Sequence, residues 1–256
     1  MEKRLTDYQL FDGRTLKIIA VITMILDHVG AFLFVYATPL YNQGAELVAN
    51  SEMWYQVMRQ IGRIAFPLFC FFLVEGFFHT RDSFLYLARL MCFAVLSEIP
   101  FDLAVSSKVV SWKNQNVFFT LALGLGMMMV LKAVTNPQKE KREKASLYPH
   151  IDLFHPLVII AFVVVAELIK CDYTGYGILL IAIFYYTRNR RIVACIAGYL
   201  AFLWEPFCLP AFLLIPFYNG KRGKQMKYLF YAFYPLHLLA IVWLRYVLFD
   251  IGIKFS

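Results

Sequence analysis

The stretch TLKIIAVITMILDHVGAFLFVYA, residues 15–37, decides how the chain folds. It is long and apolar enough to cross a membrane as a helix, which needs about 20 such residues. Two adjacent ionisable residues, Asp27 and His28, interrupt it. A charge at the centre of a bilayer costs at least about 2.5 kcal/mol, so it normally faces a protein interior or a polar cavity as part of a site. The pair therefore predicts chemistry inside a membrane.

The composition of the whole chain is also that of a membrane protein. Its 256 residues are 61% hydrophobic and 16% charged, whereas a soluble domain is about 45–50% apolar and about 25% charged. The sequence predicts an all-α fold in a single domain, residues 1–256. This fold is a polytopic transmembrane helical bundle of about nine spans, within a range of about 8–10. The predicted spans are residues 15–37, 61–79, 83–101, 116–134, 155–170, 175–187, 192–204, 207–218 and 228–249. The sixth to eighth are short enough to be tilted, re-entrant or miscounted.

The basic residues predict how the chain is oriented in the membrane. Short cytoplasmic loops carry an excess of Lys and Arg. If the N-terminus is inside, most of the 25 Lys and Arg residues fall in inner loops, among them 132–144 and 188–191. We therefore expect an integral protein of the cytoplasmic membrane with a cytoplasmic N-terminus and, after nine spans, an outer C-terminus. The net charge of +8 then indicates this inner face and contact with anionic lipid rather than with nucleic acid.

His28 is the first candidate for a catalytic residue. It lies about 20 Å into the first span at 1.5 Å of rise per residue, and imidazole accepts protons near neutral pH. The side chain of Asp27 diverges from it by about 100°, so we expect the two residues to have different neighbours. The alternative is a structural histidine that hydrogen-bonds to a neighbouring helix.

Further charged residues lie in the second and third spans. Charges inside a membrane are expected to pair. Matching their depths predicts that Glu75 pairs with Arg89 on the inner side and that Arg63 pairs with Glu98 or Asp102 on the outer side. The alternative for both pairs is that they only hold a helical hairpin together.

Amides and basic side chains mark two segments near span ends. Asn116, in QNVFFT, could bind a carbonyl or simply cap a helix. The basic turn YNGKRGK, residues 218–224, has glycines that let its backbone approach a ligand and cations that can hold phosphates. It lacks the full phosphate-loop pattern, and an ordinary basic turn is the alternative. Glu205 and the mid-membrane His237 are weak indications on their own, and the scattered cysteines predict no metal site.

Seven short motifs occur in an order that resembles the TraX family. They are ILDHVG (25–30), IGRIAFP (61–67), VEGF (74–77), SEIPFD (97–102), QNVFFT (115–120), YNGKRG (218–223) and YPLH (234–237). The family takes its name from a protein implicated in acetylating the N-terminus of conjugative pilin, and it is similar to membrane acyltransferases that acetylate bacterial surface glycans. The resemblance implies a bacterial enzyme that moves acetyl groups from cytosolic acetyl-CoA to a peptide amine or a glycan hydroxyl.

The resemblance also suggests roles for the residues inside the spans. His28 would act as general base, with Asp27 or Glu98 orienting it. Arg63 or Asn116 would stabilise the oxyanion of the tetrahedral intermediate. Direct transfer is the mechanism favoured, and a transient acetyl-His28 remains open.

The acetyl donor is expected to bind from the cytosolic side, where its phosphates meet the basic turn. No metal and no nucleic acid are expected, and the partners are the acyl acceptor and the lipid bilayer. Two alternatives stay open: a proton-coupled transporter or channel, and a non-catalytic assembly factor. The residues assigned to donor binding are Lys221, Arg222, Lys224, Asn219, Glu75 and Arg89.

Overall fold

The computed structural model describes residues 10–35, 50–135, 154–223 and 227–249. Within these ranges the chain is helical and forms no strand, which confirms the predicted all-α class. The α-helices are α1 (Gly13–Val29), α2 (Ser51–Gly62), α3 (Ala65–His79), α4 (Ser83–Ser106), α5 (Val117–Val134), α6 (Phe154–Leu168), α7 (Thr174–Thr187), α8 (Arg191–Ala201), α9 (Leu209–Leu214) and α10 (Lys227–Phe249).

Five stretches are long and apolar enough to cross a membrane: Gly13–Phe34, Ser51–His79, Ser83–Ser106, Val117–Val134 and Phe230–Phe249. The first of them is α1 continued by one π-helical turn, Gly30–Phe34. Four shorter apolar helical stretches correspond, in chain order, to the four remaining predicted spans. They are Phe154–Leu168, Thr174–Thr187, Arg191–Ala201 and Pro206–Phe217. The protein is thus an integral membrane protein with five candidate spans in its described part, and nine spans stay a prediction.

The second span begins earlier than the sequence predicts. Its apolar run starts at residue 61, but the helix begins at Ser51 and continues, after a turn at Arg63 and Ile64, into α3. Helix α2 mixes polar and apolar residues, so a search for a continuous apolar run does not detect it. One consequence is that Arg59 lies within a helix.

The chain divides into two compact units. The first comprises Met1–Phe69, Val95–Trp112 and Phe202–Ser256, and the second comprises Cys70–Ala94 and Lys113–Ala201. In the first unit α1 packs on α2 and on α10. In the second unit α5, α6 and α7 pack on one another, and α8 packs on α7. The single domain predicted from the sequence stays a prediction.

Arg245 illustrates how the first unit satisfies its buried polar groups. Its side chain is 1% exposed, and its Nη1 and Nη2 atoms donate hydrogen bonds to the carbonyls of Ala104 and Leu103 at 2.8 and 2.7 Å. The last four carbonyls of a helix have no partner within that helix. Arg245, on α10, therefore caps the C-terminal end of α4.

Candidate functional site

His28 meets a second histidine inside the first unit. Its Nδ1 atom lies 2.6 Å from Nε2 of His237, which is on α10 and only 8% exposed. The two rings are within 4° of parallel and their centroids are 4.9 Å apart. That centroid separation equals the nitrogen–nitrogen distance plus roughly one ring radius at each end, so the rings meet edge to edge in a common plane. We call this hydrogen-bonded pair the histidine dyad.

The remaining nitrogens of the dyad have different surroundings. Nδ1 of His237 lies 2.9 Å from the carbonyl oxygen of Phe233, one turn earlier on α10. Nε2 of His28 has no hydrogen-bond partner among the residues that the structure describes. The dyad therefore has one end hydrogen-bonded to the backbone and, at the other end, a nitrogen without a partner in the described part of the chain.

Aromatic rings enclose the dyad. The ring of Phe233 lies parallel to that of His237 with centroids 5.1 Å apart, and Tyr234 presents its edge to both histidines at 5.5 and 5.8 Å. Phe32 packs on His28 at 5.3 Å. A low-dielectric environment of this kind strengthens the hydrogen bonds inside it.

A charged pair lies directly beside the dyad. Nη1 of Arg59 donates to Oδ2 of Asp27 at 2.6 Å, with the two side chains 25% and 15% exposed. The pair needs a glycine at position 62, because a Cβ atom there would lie 2.2 Å from the Cβ of Asp27. The absence of a side chain at Gly62 lets α1 and α2 approach closely enough for Arg59 to reach Asp27.

A second charged pair extends the cluster. Nε of Arg63 lies 3.3 Å from Oε2 of Glu205, and Asp27 interacts electrostatically with Arg59, Arg63 and Glu205. The cluster thus holds two cations and two carboxylates. We call these four residues the ion network; they are balanced in charge, as groups in a membrane-embedded site should be.

These contacts change the predicted partners of the site residues. The hydrogen-bond partner of His28 among the described residues is His237, not Asp27 or Glu98. Glu98 lies half-buried on α4 in the same unit. The predicted alternative partner of Arg63, Asp102, instead accepts a hydrogen bond from the backbone N–H of Ser111 at 2.6 Å.

The predicted pair of Glu75 and Arg89 is wrong. Oε1 of Glu75 accepts a hydrogen bond from Nε of Arg188 at 2.9 Å, within the second unit. The guanidinium of Arg188 also lies 4.5 Å above the ring of Phe78, a cation–π contact. Matching depths along one helical hairpin could not reveal a partner that follows α7. The buried Nε of Arg89 has no hydrogen-bond partner in the described part of the chain.

Asn116 is the N-cap of α5. Its side-chain oxygen accepts from the backbone N–H of Phe118 at 3.0 Å, and its Nδ2 donates to the carbonyl of Ala94 at 2.8 Å. The residue is fully buried. The side-chain oxygen has the capping role that the sequence left open, and the amide nitrogen joins α5 to α4.

The basic turn is tied to the start of α1. Phe11 exchanges backbone hydrogen bonds with Phe217 and Asn219 at 3.1 and 2.9 Å, and the N–H of Gly13 donates to the carbonyl of Lys221 at 2.8 Å. The side chain of Asn219 accepts from the N–H of Lys221 at 2.9 Å and so shapes the turn. Lys221 and Arg222 are exposed, and Lys224 lies outside the described residues.

The start of α1 contributes further groups to this end of the unit. Asp12 caps the helix by accepting from the N–H of Thr15 at 2.8 Å, and these bonds hold the pKa of the Asp12 carboxyl below its ordinary value. Gly223 has a φ of +66°, and a Cβ there would lie 2.5 Å from Oδ2 of Asp12. Arg14 is two residues after Asp12, and Lys17 is close enough to Arg222 for the two cations to repel each other. Four basic residues therefore lie at the N-terminal end of α1, the helix that carries His28: Arg14, Lys17, Lys221 and Arg222.

Sequence reasoning missed three members of the site. Arg59 lies outside the predicted second span, residues 61–79, and the sequence gives Glu205 and His237 only as weak indications. One signal was available for Arg59, because it precedes Arg63 by four residues and such residues share a helix face. Nothing in the sequence indicates that His237 meets His28, 209 residues away.

Comparison with known proteins assigns the chain to a family. The model of the TraX protein family matches residues 12–245. The chain belongs to the TraX family. A relative from Dichelobacter nodosus, described as "Probable fimbrial assembly protein FimC, serogroup H1", is 31% identical over 243 residues, which cover 84% of this chain and 87% of that protein. No solved structure matches the chain. The TraX match spans the histidine dyad, the ion network and the basic turn, and it confirms the resemblance seen in the sequence.

Proposed function

We propose that this TraX family protein is a membrane-embedded acetyltransferase, which moves an acetyl group from cytosolic acetyl-CoA to an amine or hydroxyl acceptor. The observation that carries the proposal is the environment of His28. One ring nitrogen is held by His237, the other has no partner among the described residues, and the ion network lies alongside. A half-buried, oriented imidazole with one nitrogen that has no partner in the described part of the chain is suited to act as a general base.

The reaction needs one proton acceptor and one proton donor, and His28 would serve as both. Nε2 of His28 takes the proton from the acceptor nitrogen or oxygen as that atom bonds to the thioester carbonyl carbon. The resulting tetrahedral intermediate then loses its carbon–sulfur bond. The leaving CoA sulfur takes the proton back from Nε2, so acetylated acceptor and CoA thiol are formed and His28 is regenerated.

The oxyanion of that intermediate needs a positive or hydrogen-bonding partner. Arg63 is the residue we favour, because it belongs to the ion network beside His28 and Asp27. Such a donor is commonly worth about 3–4 kcal/mol of the barrier. Asn116 is the weaker candidate, because its amide already caps α5.

The basic turn would hold the phosphates of acetyl-CoA. Lys221 and Arg222 are exposed beside the start of α1, and Lys224 follows them in the sequence. His28 is 15 residues beyond Gly13 on the same helix, which at 1.5 Å per residue is about 22 Å. The long pantetheine arm of CoA would bridge this separation. Glu75 has no part in this proposal, because its carboxylate is paired with Arg188, and Arg89 stays a prediction.

This arrangement requires the basic turn to face the cytosol, which the excess of basic residues in the inner loops favours. The protein would then lie in the cytoplasmic membrane with its N-terminus inside. A reagent that labels cysteines but does not cross membranes tests this. A cysteine introduced at Lys221 should be labelled only after permeabilisation, and labelling in intact cells would contradict the proposed donor site.

The acceptor we favour is the N-terminal amine of a pilin subunit. The resemblance to the TraX family implies such an acceptor, and the name of the Dichelobacter nodosus relative refers to fimbrial assembly. The same name supports a second candidate function, a non-catalytic assembly factor.

One assay separates the two functions. Purified protein is incubated with radiolabelled acetyl-CoA and with peptides whose N-terminus is free or blocked. The enzyme should label the free peptide and release CoA, and His28→Ala should abolish both. His79→Ala is the matched control and should keep normal turnover, because His79 is exposed and lies in the second unit, whereas the histidine dyad lies in the first. Absence of both products in the wild type, with membranes and acceptor varied, would favour the assembly factor.

The donor site is tested by kinetics. Replacing Lys221 and Arg222 by alanine should raise the KM for acetyl-CoA and leave kcat nearly unchanged, because the reacting carbonyl is remote from the phosphates. Arg81→Ala, another exposed basic residue, is the control. An unchanged KM would leave the turn with only a topological role.

A further inference from the structure

We propose that His237 is the positioning residue that keeps the lone pair of His28 on Nε2, the nitrogen that faces the acceptor. This inference rests on the proposed function, in which His28 is the general base. It goes beyond it by assigning a role to a residue on a different helix and a direction to the proton in the dyad.

The positions of the protons in the dyad follow from one backbone atom. The carbonyl oxygen of Phe233 can only accept a hydrogen bond, so Nδ1 of His237, 2.9 Å away, must carry the proton. In a neutral His237 the other nitrogen, Nε2, is then an acceptor. The partner at 2.6 Å, Nδ1 of His28, must be the donor.

These two hydrogen bonds also determine whether the remaining nitrogen of His28, Nε2, carries a proton. Because Nδ1 of His28 carries its single proton, Nε2 carries the lone pair. Nε2 is also the nitrogen without a partner among the described residues. A chain of two hydrogen bonds thus runs from the backbone of α10 to His28 and leaves the reactive nitrogen ready to accept a proton.

His237 also stabilises His28 once it is charged. When Nε2 takes the acceptor's proton, Nδ1–H of the His28 cation still donates to the neutral His237, and the hydrogen bond becomes charge-assisted. In many catalytic triads a carboxylate has this position. A neutral imidazole does the same work without adding a permanent charge to a membrane-embedded site.

Two substitutions at position 237 separate this role from packing. His237→Leu fills the space but removes the acceptor. His237→Gln keeps an oxygen acceptor that can reach Nδ1 of His28. For the leucine variant we expect kcat to fall by about 100-fold or more, in the range that general base catalysis contributes, and the KM for acetyl-CoA to change less than about twofold. The glutamine variant should keep kcat within about tenfold of the wild type.

A spectroscopic measurement tests the proton position without any activity. In full-length protein with ¹⁵N-labelled histidine, the ring nitrogens distinguish protonated from unprotonated sites. His28 should be protonated at Nδ1 and unprotonated at Nε2 in the wild type and in His237→Gln, and should populate the reverse tautomer in His237→Leu. His28→Ala provides the assignment of the resonances.

The outcomes are distinguishable. Turnover by His28→Ala would overturn the proposed function itself. Loss of activity in His28→Ala together with a normal kcat in His237→Leu would overturn the role of His237 alone, as would a wild-type His28 protonated at Nε2. If His237→Leu does not fold, the wild-type tautomer and the kcat of His237→Gln still decide the question: a glutamine variant as inactive as His28→Ala contradicts the inference.

Discussion

Gly62→Ala should destabilise the protein, although alanine is the better helix former. The new Cβ would lie 2.2 Å from the Cβ, 2.3 Å from Oδ1 and 2.5 Å from Cγ of Asp27. The Cβ of Asp27 is fixed by the backbone, so no side-chain rotation relieves the overlap, and α1 and α2 must move apart. This movement would also pull Asp27 away from Arg59 and shift the neighbouring His28.

The magnitude follows from two opposing terms. Overpacking of this kind costs about 1–3 kcal/mol, and an overlap between two backbone-fixed atoms belongs at the upper end, about 3 kcal/mol. Replacing glycine by alanine within a helix gains about 1 kcal/mol. The free energy of unfolding should therefore fall by about 2 kcal/mol, which for a chain of this length lowers Tm by roughly 4–8 °C.

The assay is thermal unfolding of the purified protein in detergent. Gly126→Ala is the matched control, because its Cβ would meet two ring carbons of Phe162 at 3.3 and 3.7 Å, and this ring can yield by a few tenths of an ångström. In an Asp27→Gly background the obstructing Cβ is gone, and the same Gly62→Ala change should raise Tm. Equal effects of Gly62→Ala in both backgrounds, or a fall in Tm no larger than that of Gly126→Ala, would refute the close packing of these helices.

Three further predictions concern other contacts. Arg188→Gln should lower Tm more than Arg89→Gln, because it leaves the carboxylate of Glu75 without its partner; equal losses would contradict the revised pairing. Hydrogen bonds from Thr15 lower the pKa of Asp12, so its capping contribution is complete above its ordinary pKa of 3.8 and is lost as the pH falls through the lowered pKa. The Tm difference between wild type and Asp12→Ala should accordingly shrink on acidification, and a constant difference would exclude the carboxylate as its source. Gly223→Ala should weaken acetyl-CoA binding, because φ is +66° and the Cβ would strike Asp12; an unchanged KM would contradict this.

The positions of the apolar helices were predictable from the sequence, and their lengths explain why. A continuous apolar run such as that of α5 has no alternative in a bilayer to forming a helix. The start of α2 was not predictable in this way, because residues 51–62 mix polar and apolar side chains. This helix is held by packing on α1 rather than by hydropathy, and packing depends on residues elsewhere in the chain.

The partners in the site were much less predictable than its members. His28, Asp27 and Arg63 were identifiable because a polar residue in a membrane span is costly. This energetic cost implies that each such residue has an interaction partner, but it does not identify the partner. Matching depths along a helical hairpin predicts Arg89 as the partner of Glu75. In the structure the partner of Glu75 is Arg188, which follows α7. For Arg63 the structure supplies Glu205, which precedes α9.

The balance of charge in the ion network bears on the proposed reaction. Asp27 and Glu205 are matched by Arg59 and Arg63, so the cluster adds no net charge to the interior of the first unit. Removing one member would leave an uncompensated buried charge, which typically costs about 3–5 kcal/mol. With these four charges fixed, the group beside them whose charge changes in the proposed cycle is the imidazole of His28. A proton accepted there meets a neutral acceptor in His237 and a balanced cluster beside it, so the site can hold one transient positive charge without rearranging its permanent ones.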